Sequence, residues 1–460
     1  MAVTITTARE PRPGRRQAHP ERTSSSRPAW VVAASLVTGL LVALLLAFLP
    51  FVPVEESALT GAVLCGFATG WTLLWRSSQR FTDQPQRWAK WPALFMGVGG
   101  VLLLALGPQV LDVLRWVWPP ALVVLVVWMA SRMRRELPSR GGRAQLYVVF
   151  AILAIAAVGG GYATLAEATE STSMPATGRL VDVGGHRLFL SCVGSGSPTV
   201  VLEPGAGATS AQLGWIAPAV SRSTRVCVYD RAGRGWSEPA GMTQDGARIA
   251  ADLHTLLHRA GVTGPYVLAG HSFGGLYVRI FAARYPDEVA GLVLVDSTAA
   301  ESPARSVVPP PGDGGVQPLG RVPVIASLAS GVGLTRILGR TDFGTLPARS
   351  RDEARAAVAR ASWLSSTVDE YLRGGASMHE AASLRDLSDK PLVVLTAGEH
   401  PAAWMSAQHQ MVALSTNGVQ RIVPGATHTD LLLVEKYADA TSQAVLDVVD
   451  SIRRHQPLGR

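Results

Sequence analysis

Residues 268–276 read LAGHSFGGL, a serine between glycines that follows an apolar run and precedes a helical-looking stretch. Gly270-His271-Ser272-Phe273-Gly274 fits the pattern G-x-S-x-G, which needs small residues on both sides because the backbone at the serine is strained. In a strand–turn–helix context, Ser272 Oγ would project beyond the strand, with its backbone at a helix N-terminus that favours negative charge. A plain glycine turn is the competing reading. A serine hydroxyl is a weak nucleophile until a base takes its proton. The best base is His428 in VPGATHTD, after the last expected strand and before the last helix. His271 adjoins the serine, but the turn aims its side chain elsewhere, which suits packing. His186, His254, His258 and His409 read as ordinary residues on strand or helix bodies.

Such a base needs a carboxylate to fix its tautomer and stabilise its imidazolium form. Asp296 ends the run AGLVLVD and is the preferred acid. Glu399, after LVVLTAG, is the alternative. An aspartate that only caps the next loop is the competing role for Asp296. A developing oxyanion needs backbone donors. The N–H of Phe273 is one candidate, and the N–H of Ala206, in the glycine turn LEPGAG, is the other. This chemistry calls for no metal and no cofactor.

These residues must be held on strand ends. From Gly178 onward, short apolar runs alternate with amphipathic stretches. RLVDVGG and RLFLSCVG predict a hairpin through Gly184-Gly185. TVVLE, RVCVYD, YVLAG, LVLVD, LVVLTAG and QRIVPG predict buried strands. ARIAADLHTLLHRAG predicts a helix with Ile249, Leu253, Leu256 and Leu257 on one face. GGLYVRIFAARYP and a segment from about Val434 to His455 predict two more. That alternation implies a mostly parallel sheet covered on both faces. Residues 300–388 interrupt it with a Pro/Gly-rich loop, VVPPPGDGGVQPLG, and helical segments such as SRDEARAAVARASWL. An insertion of this length between strands reads as a lid.

Together these features resemble the α/β-hydrolase fold, over about Gly178 to Ser451 minus the lid. The resemblance rests on the elbow GHSFGG, the turn EPGAG, the segment YDRAGRGWS after a strand, and a histidine before the final helix. It implies a serine hydrolase with a Ser-Asp-His order. It does not specify a substrate, because the superfamily hosts esterases, lipases, peptidases, dehalogenases and epoxide hydrolases. Serine at the elbow argues against the last two, which carry aspartate there. The chain departs from the common pattern twice. Pro204-Gly205 replaces the frequent His-Gly, and no Asp follows the penultimate strand. Some members place the acid one strand earlier, where Asp296 lies. In YDRAGRGWS, Asp230, Arg231 and Ser237 are expected to fix the loop. Cys192 and Cys227 would sit on neighbouring strands of this fold, either as a disulfide or as two buried thiols.

The front of the chain differs in kind. The 460 residues are 48% hydrophobic, and the mean hydropathy of +0.22 reflects long apolar runs before about Leu165. Residues 30–52 and 58–75 form the first two runs. Weaker ones cover 92–107, extending to 114, and 116–130, and a fifth covers 145–164. Each suits a membrane span. Asp112 and Pro119-Pro120 interrupt the third and fourth, which leaves four spans or a re-entrant hairpin as alternatives to five. The expected organisation is a basic, disordered tail at 1–29, spans at 30–164, a linker at 165–177, and a hydrolase core at 178–299 and 389–460 around the lid.

The charge of +8 is uneven: residues 1–164 hold 16 Lys/Arg against 7 Asp/Glu, and the remainder 26 against 27. The basic character thus belongs to the apolar region, and no nucleic-acid partner is expected. Basic segments alternate with loops poor in positive charge, as in a chain with its N-terminus in the cytoplasm and five spans. The hydrolase domain would then lie outside the cytoplasm. The expected activity is that of a carboxylesterase or lipase-like enzyme acting on a small or lipid-like acyl substrate through an acyl-enzyme. Transacylation, aminopeptidase-like amide cleavage and a non-catalytic membrane sensor are the alternatives.

Overall fold

The computed structural model describes residues 26–49, 52, 56–169, 174–240, 244–300 and 343–459. The basic tail before Ser26 and the loop VVPPPGDGGVQPLG lie outside the described residues.

The apolar runs form α1 (Ser26–Phe48), α2 (Glu56–Phe81), α3 (Lys90–Leu106), α4 (Pro108–Glu136) and α5 (Arg140–Thr169). Among the described residues, five helices are long and apolar enough to cross a membrane. Their outward faces carry leucine, valine and isoleucine, such as Leu41, Val124 and Ile155, each more than half exposed. Glycines let the helices approach closely. A Cβ on Gly66 of α2 would lie 2.2 Å from the Ala43 Cα of α1, and one on Gly61 would lie 2.8 Å from the Gly100 carbonyl oxygen of α3. Small residues at such contacts are the usual means of packing apolar helices.

The sequence places the interruption of this region at Asp112 and Pro119-Pro120, and the structure moves it. Both prolines lie inside the continuous α4, and the break falls instead at Gly107, with φ of 69°. Each proline removes one backbone donor, but a long apolar helix keeps its remaining hydrogen bonds because no alternative partners surround it. α5 also runs on to Thr169, into the expected linker.

The domain that follows the five helices is built on one eight-stranded sheet in the order β1-β2-β4-β3-β5-β6-β7-β8. Its strands are β1 (Gly178–Asp182), β2 (Arg187–Val193), β3 (Thr199–Glu203), β4 (Val226–Tyr229), β5 (Tyr266–His271), β6 (Val289–Val295), β7 (Leu392–Ala397) and β8 (Gly418–Val423). β1 and β2 form the expected hairpin, with Asp182 opposite Arg187. β2 is antiparallel to β4, and the pairings from β4 onward to β8 are parallel. The central strands are buried on both faces, which explains why they read as continuous apolar runs rather than alternating ones.

On one face pack α7 (Gly246–Arg259) and α8 (Phe273–Arg284). Ile249, Leu253, Leu256 and Leu257 of α7 are all buried there, and Asp245 caps the helix by accepting the Arg248 N–H. On the other face lie α6 (Ile216–Ser221) and the C-terminal helix α14 (Glu435–Arg454). Three helices, α9 (Ala348–Val358), α10 (Ala361–Leu372) and α11 (Gly374–Ala381), form the described part of the insertion between β6 and β7. Beyond β7 come α12 (Ala402–Met411) and the single turn α13 (Asp430–Leu433).

Cys192 and Cys227 face each other across β2 and β4 and are joined by a disulfide. Closing a loop of this length restricts the unfolded chain and contributes about 4 kcal/mol. Reduction of the purified protein should therefore lower its thermal midpoint by about 10 °C. A midpoint unchanged by reduction would show that the bond contributes nothing.

Candidate active site

β5 ends at His271 and α8 begins at Phe273, so Ser272 alone makes the turn between them. Its φ of 55° and ψ of −123° lie in a region that non-glycine residues rarely occupy. The surroundings enforce this conformation. The Ser272 N–H donates to the Val295 carbonyl at 3.1 Å, and its own carbonyl accepts from Gly275 and Thr298. A Cβ on Gly270 would lie 2.4 Å from the Gly274 carbonyl oxygen, and one on Gly274 would lie 2.4 Å from that of Glu203. The flanking glycines are therefore steric necessities of the turn.

The parallel sheet brings the other candidates to the same edge, because each follows the C-terminal end of a strand. Asp296 comes directly after β6, fully buried, and His428 lies between β8 and α13. Asp296 Oδ2 is 2.6 Å from His428 Nδ1, which leaves Nε2 as the ring nitrogen able to exchange a proton with a neighbour. Burial alone would raise the Asp296 pKa. Hydrogen bonds from His428, Trp404 and His400 outweigh it and hold the carboxyl below its ordinary value. Glu399 lies in the loop after β7, where its backbone N–H donates to the Ala426 carbonyl. The carboxylate against the His428 ring is that of Asp296.

His400 and Trp404 are partners that the sequence reading missed. His400 Nε2 lies 2.6 Å from Asp296 Oδ2, and Trp404 Nε1 donates to Oδ1 at 2.9 Å. Their rings stack with centroids 4.9 Å apart. His400 immediately follows Glu399, so the loop that carries the alternative acid supplies a second histidine to the preferred one.

His271 does more than pack. Its Nε2 contacts the His428 carbonyl at 3.0 Å and, with an oxygen as partner, must donate. Burial, followed by the neighbouring His428, pushes its pKa down to about 3. His271 is therefore neutral and ties the elbow to the loop that carries His428.

The turn after β3 abuts the elbow, since a Cβ on Gly205 would come within 3.0 Å of Ser272 Cβ. That turn, in which the candidate donor Ala206 follows Gly205, is fixed from below. Arg231 donates to the carbonyls of Pro204 at 2.7 Å and Gly205 at 2.6 Å. The Arg231 guanidinium also pairs with Glu203 and with Glu370 of α10. Arg234 pairs with Glu370 too. Glu370 Oε2 accepts the Gly207 N–H at 3.0 Å, and its Oε1 accepts the Tyr277 hydroxyl at 2.8 Å. Burial would raise the Glu370 pKa, but Arg231 and Arg234 hold it below the usual range. As expected, Asp230 and Ser237 fix the rest of their loop. Asp230 accepts the N–H groups of Ser210 and Trp236, and the Ser237 hydroxyl donates to the Asp230 carbonyl.

α10 and α11 cover this edge. Trp363 Nε1 donates to the Gly207 carbonyl at 2.7 Å. The Tyr371 ring lies 5.5 Å from that of Phe273, and a Cβ on Gly374 would meet the same phenylalanine at 3.0 Å.

Of the remaining histidines, His186 lies in the turn before β2 rather than on a strand, 3.3 Å from Asp252. His409, on α12, contacts Gln420. His254 and His258 share Glu288.

A strained serine at a strand–helix elbow, on this strand order, is the arrangement of the α/β-hydrolase fold. Residues 198–315 match the sequence profile of the family described as alpha/beta hydrolase fold. The chain carries a domain of the α/β-hydrolase fold, preceded among the described residues by five apolar helices. It is 31% identical over 242 residues to an uncharacterized protein of Schizosaccharomyces pombe, a match covering 51% of this chain and 43% of that protein. A shorter match, 34% over 94 residues, joins it to an uncharacterized vacuolar membrane protein of Saccharomyces cerevisiae and covers 20% of this chain and 15% of the other. The chain thus spans less than half the length of the curated relatives it matches. Among solved structures, an epoxide hydrolase is 18% identical with a TM-score of 0.46, covering 59% of this chain and 98% of that one.

Proposed function

We propose that the protein is a membrane-anchored serine hydrolase that cleaves an ester of a small or lipid-like acyl group through an acyl-enzyme. The observation that carries this reading is the Asp296–His428 contact at the sheet edge where Ser272 is held in its strained turn. In the proposed reaction, His428 Nε2 takes the Ser272 hydroxyl proton as Oγ attacks the carbonyl carbon. The N–H groups of Phe273 and Ala206 stabilise the oxyanion. His428 then returns the proton to the departing alcohol, and a water activated by the same histidine releases the acid. Asp296, ionised because its bonds favour the charged form, holds the Nδ1 proton and stabilises the imidazolium. His271 is unsuited to be the base, since it is held neutral and its Nε2 proton is engaged.

The five apolar helices support integral membrane anchoring. Two features support placing the hydrolase domain outside the cytoplasm: the alternation of basic and non-basic loops, and the Cys192–Cys227 disulfide, a bond that persists in oxidising compartments.

The test is covalent labelling by a fluorophosphonate probe in membranes. The parent protein should label, Ser272→Ala should not, and esters of graded chain length should be turned over by the parent alone. Equal labelling of both forms would falsify the assignment of Ser272.

A further inference from the structure

The geometry points to a second, non-catalytic site: a zinc site formed by His254, His258 and Glu288. The two histidines are four residues apart on α7, so their side chains share one face of the helix. Glu288 ends the short turn that leads into β6. The Nε2 atoms of both rings converge on a single carboxylate oxygen, Glu288 Oε1, at 3.0 and 3.1 Å. The three donor atoms lie within 4.8 Å of one another. The His254 ring is set for this by stacking on Tyr285, with centroids 3.9 Å apart and planes 8° from parallel. The other carboxylate oxygen, Oε2, is buried and has no hydrogen-bond partner. Two hydrogen bonds crowded on one oxygen, beside an unpartnered one, form a poorly satisfied arrangement for purely structural residues.

Two imidazoles and one carboxylate are a donor set suited to zinc, with solvent supplying the fourth position of a tetrahedron. Solvent can reach it, because the His258 side chain is 56% exposed. A metal here would pin the C-terminal half of α7 to the entrance of β6. Asp296 follows the other end of that strand, so the site is remote from the catalytic edge.

Full-length protein in detergent, stripped with a chelator and titrated with zinc chloride against a chromophoric competitor, provides the test. One zinc should bind. His258→Gln, at an exposed position that keeps the fold, should bind it at least ~10-fold more weakly, and Glu288→Gln should do the same. Zinc should raise the thermal midpoint of the parent and leave that of His258→Gln unchanged. Absence of zinc uptake, or uptake equal in parent and variants, overturns the proposal. Uptake lost in His400→Gln but kept in His258→Gln also overturns it, since it assigns the metal to the Asp296, His400 and His428 cluster.

Discussion

Asp296→Asn should leave a folded protein whose ester turnover falls by about 10⁴-fold, while Glu399→Gln stays within a few-fold of the parent. The reasoning starts from the two bonds of Asp296 Oδ2, to His428 Nδ1 and His400 Nε2, each 2.6 Å. A carboxylate accepts both. An amide in its place offers one oxygen and one NH₂, and Trp404, whose indole N–H can only donate, takes the oxygen at the Oδ1 position. The NH₂ then faces both rings, the His428 proton moves from Nδ1 to Nε2, and the base that Ser272 needs is lost. Steady-state rates with a soluble ester, alongside circular dichroism as a check on folding, decide the matter. A larger loss in Glu399→Gln than in Asp296→Asn would transfer the acid's role to the loop after β7.

Glu370→Gln should be the most destabilising conservative change in the cap, costing about 3–5 kcal/mol. Glu370 neutralises part of the charge on two buried guanidinium groups, Arg231 and Arg234. Its removal leaves that charge short of a partner in a site screened from water. Turnover should fall with stability, because Arg231 and Glu370 together hold the turn that carries Ala206. Thermal and urea midpoints of the purified protein measure the first effect, and ester kinetics the second. Combining Glu370→Gln with Arg234→Met should cost less than the two single changes summed, since the double variant also removes a stranded cation. Strict additivity would show that the two residues are energetically independent.

Most of the hydrolase scaffold was legible in advance, for a physical reason. Doubly buried parallel strands must be short apolar runs, and the elbow must be glycine-flanked, so β3, β5, β6 and the turn at Ser272 leave local signatures. Asp296 was readable because it directly follows such a run. His400 and Trp404 were not. They reach Asp296 from more than 100 positions away, and nothing in HPAAW marks one side chain as facing a carboxylate. Glu370 was hidden more thoroughly. In STVDEYL it reads as one of two acidic residues on a solvated helix, and only tertiary packing separates the buried Glu370 from its neighbour Asp369, which pairs with Arg373. The continuity of α4 through Pro119 and Pro120 was misjudged because local proline rules assume that a broken helix has water to turn to.

The pairing of Glu370 with Arg231 and Arg234 also sets a clock on substrate entry. Lifting α10 away would separate that charge cluster, at a cost comparable to losing one of its members, roughly 3–5 kcal/mol. At equilibrium only about one molecule in 10² to 10⁴ would then have α10 raised, and any substrate that needed this opening would see its association rate cut by the same factor. Fast turnover therefore requires an entrance that leaves α10 in place.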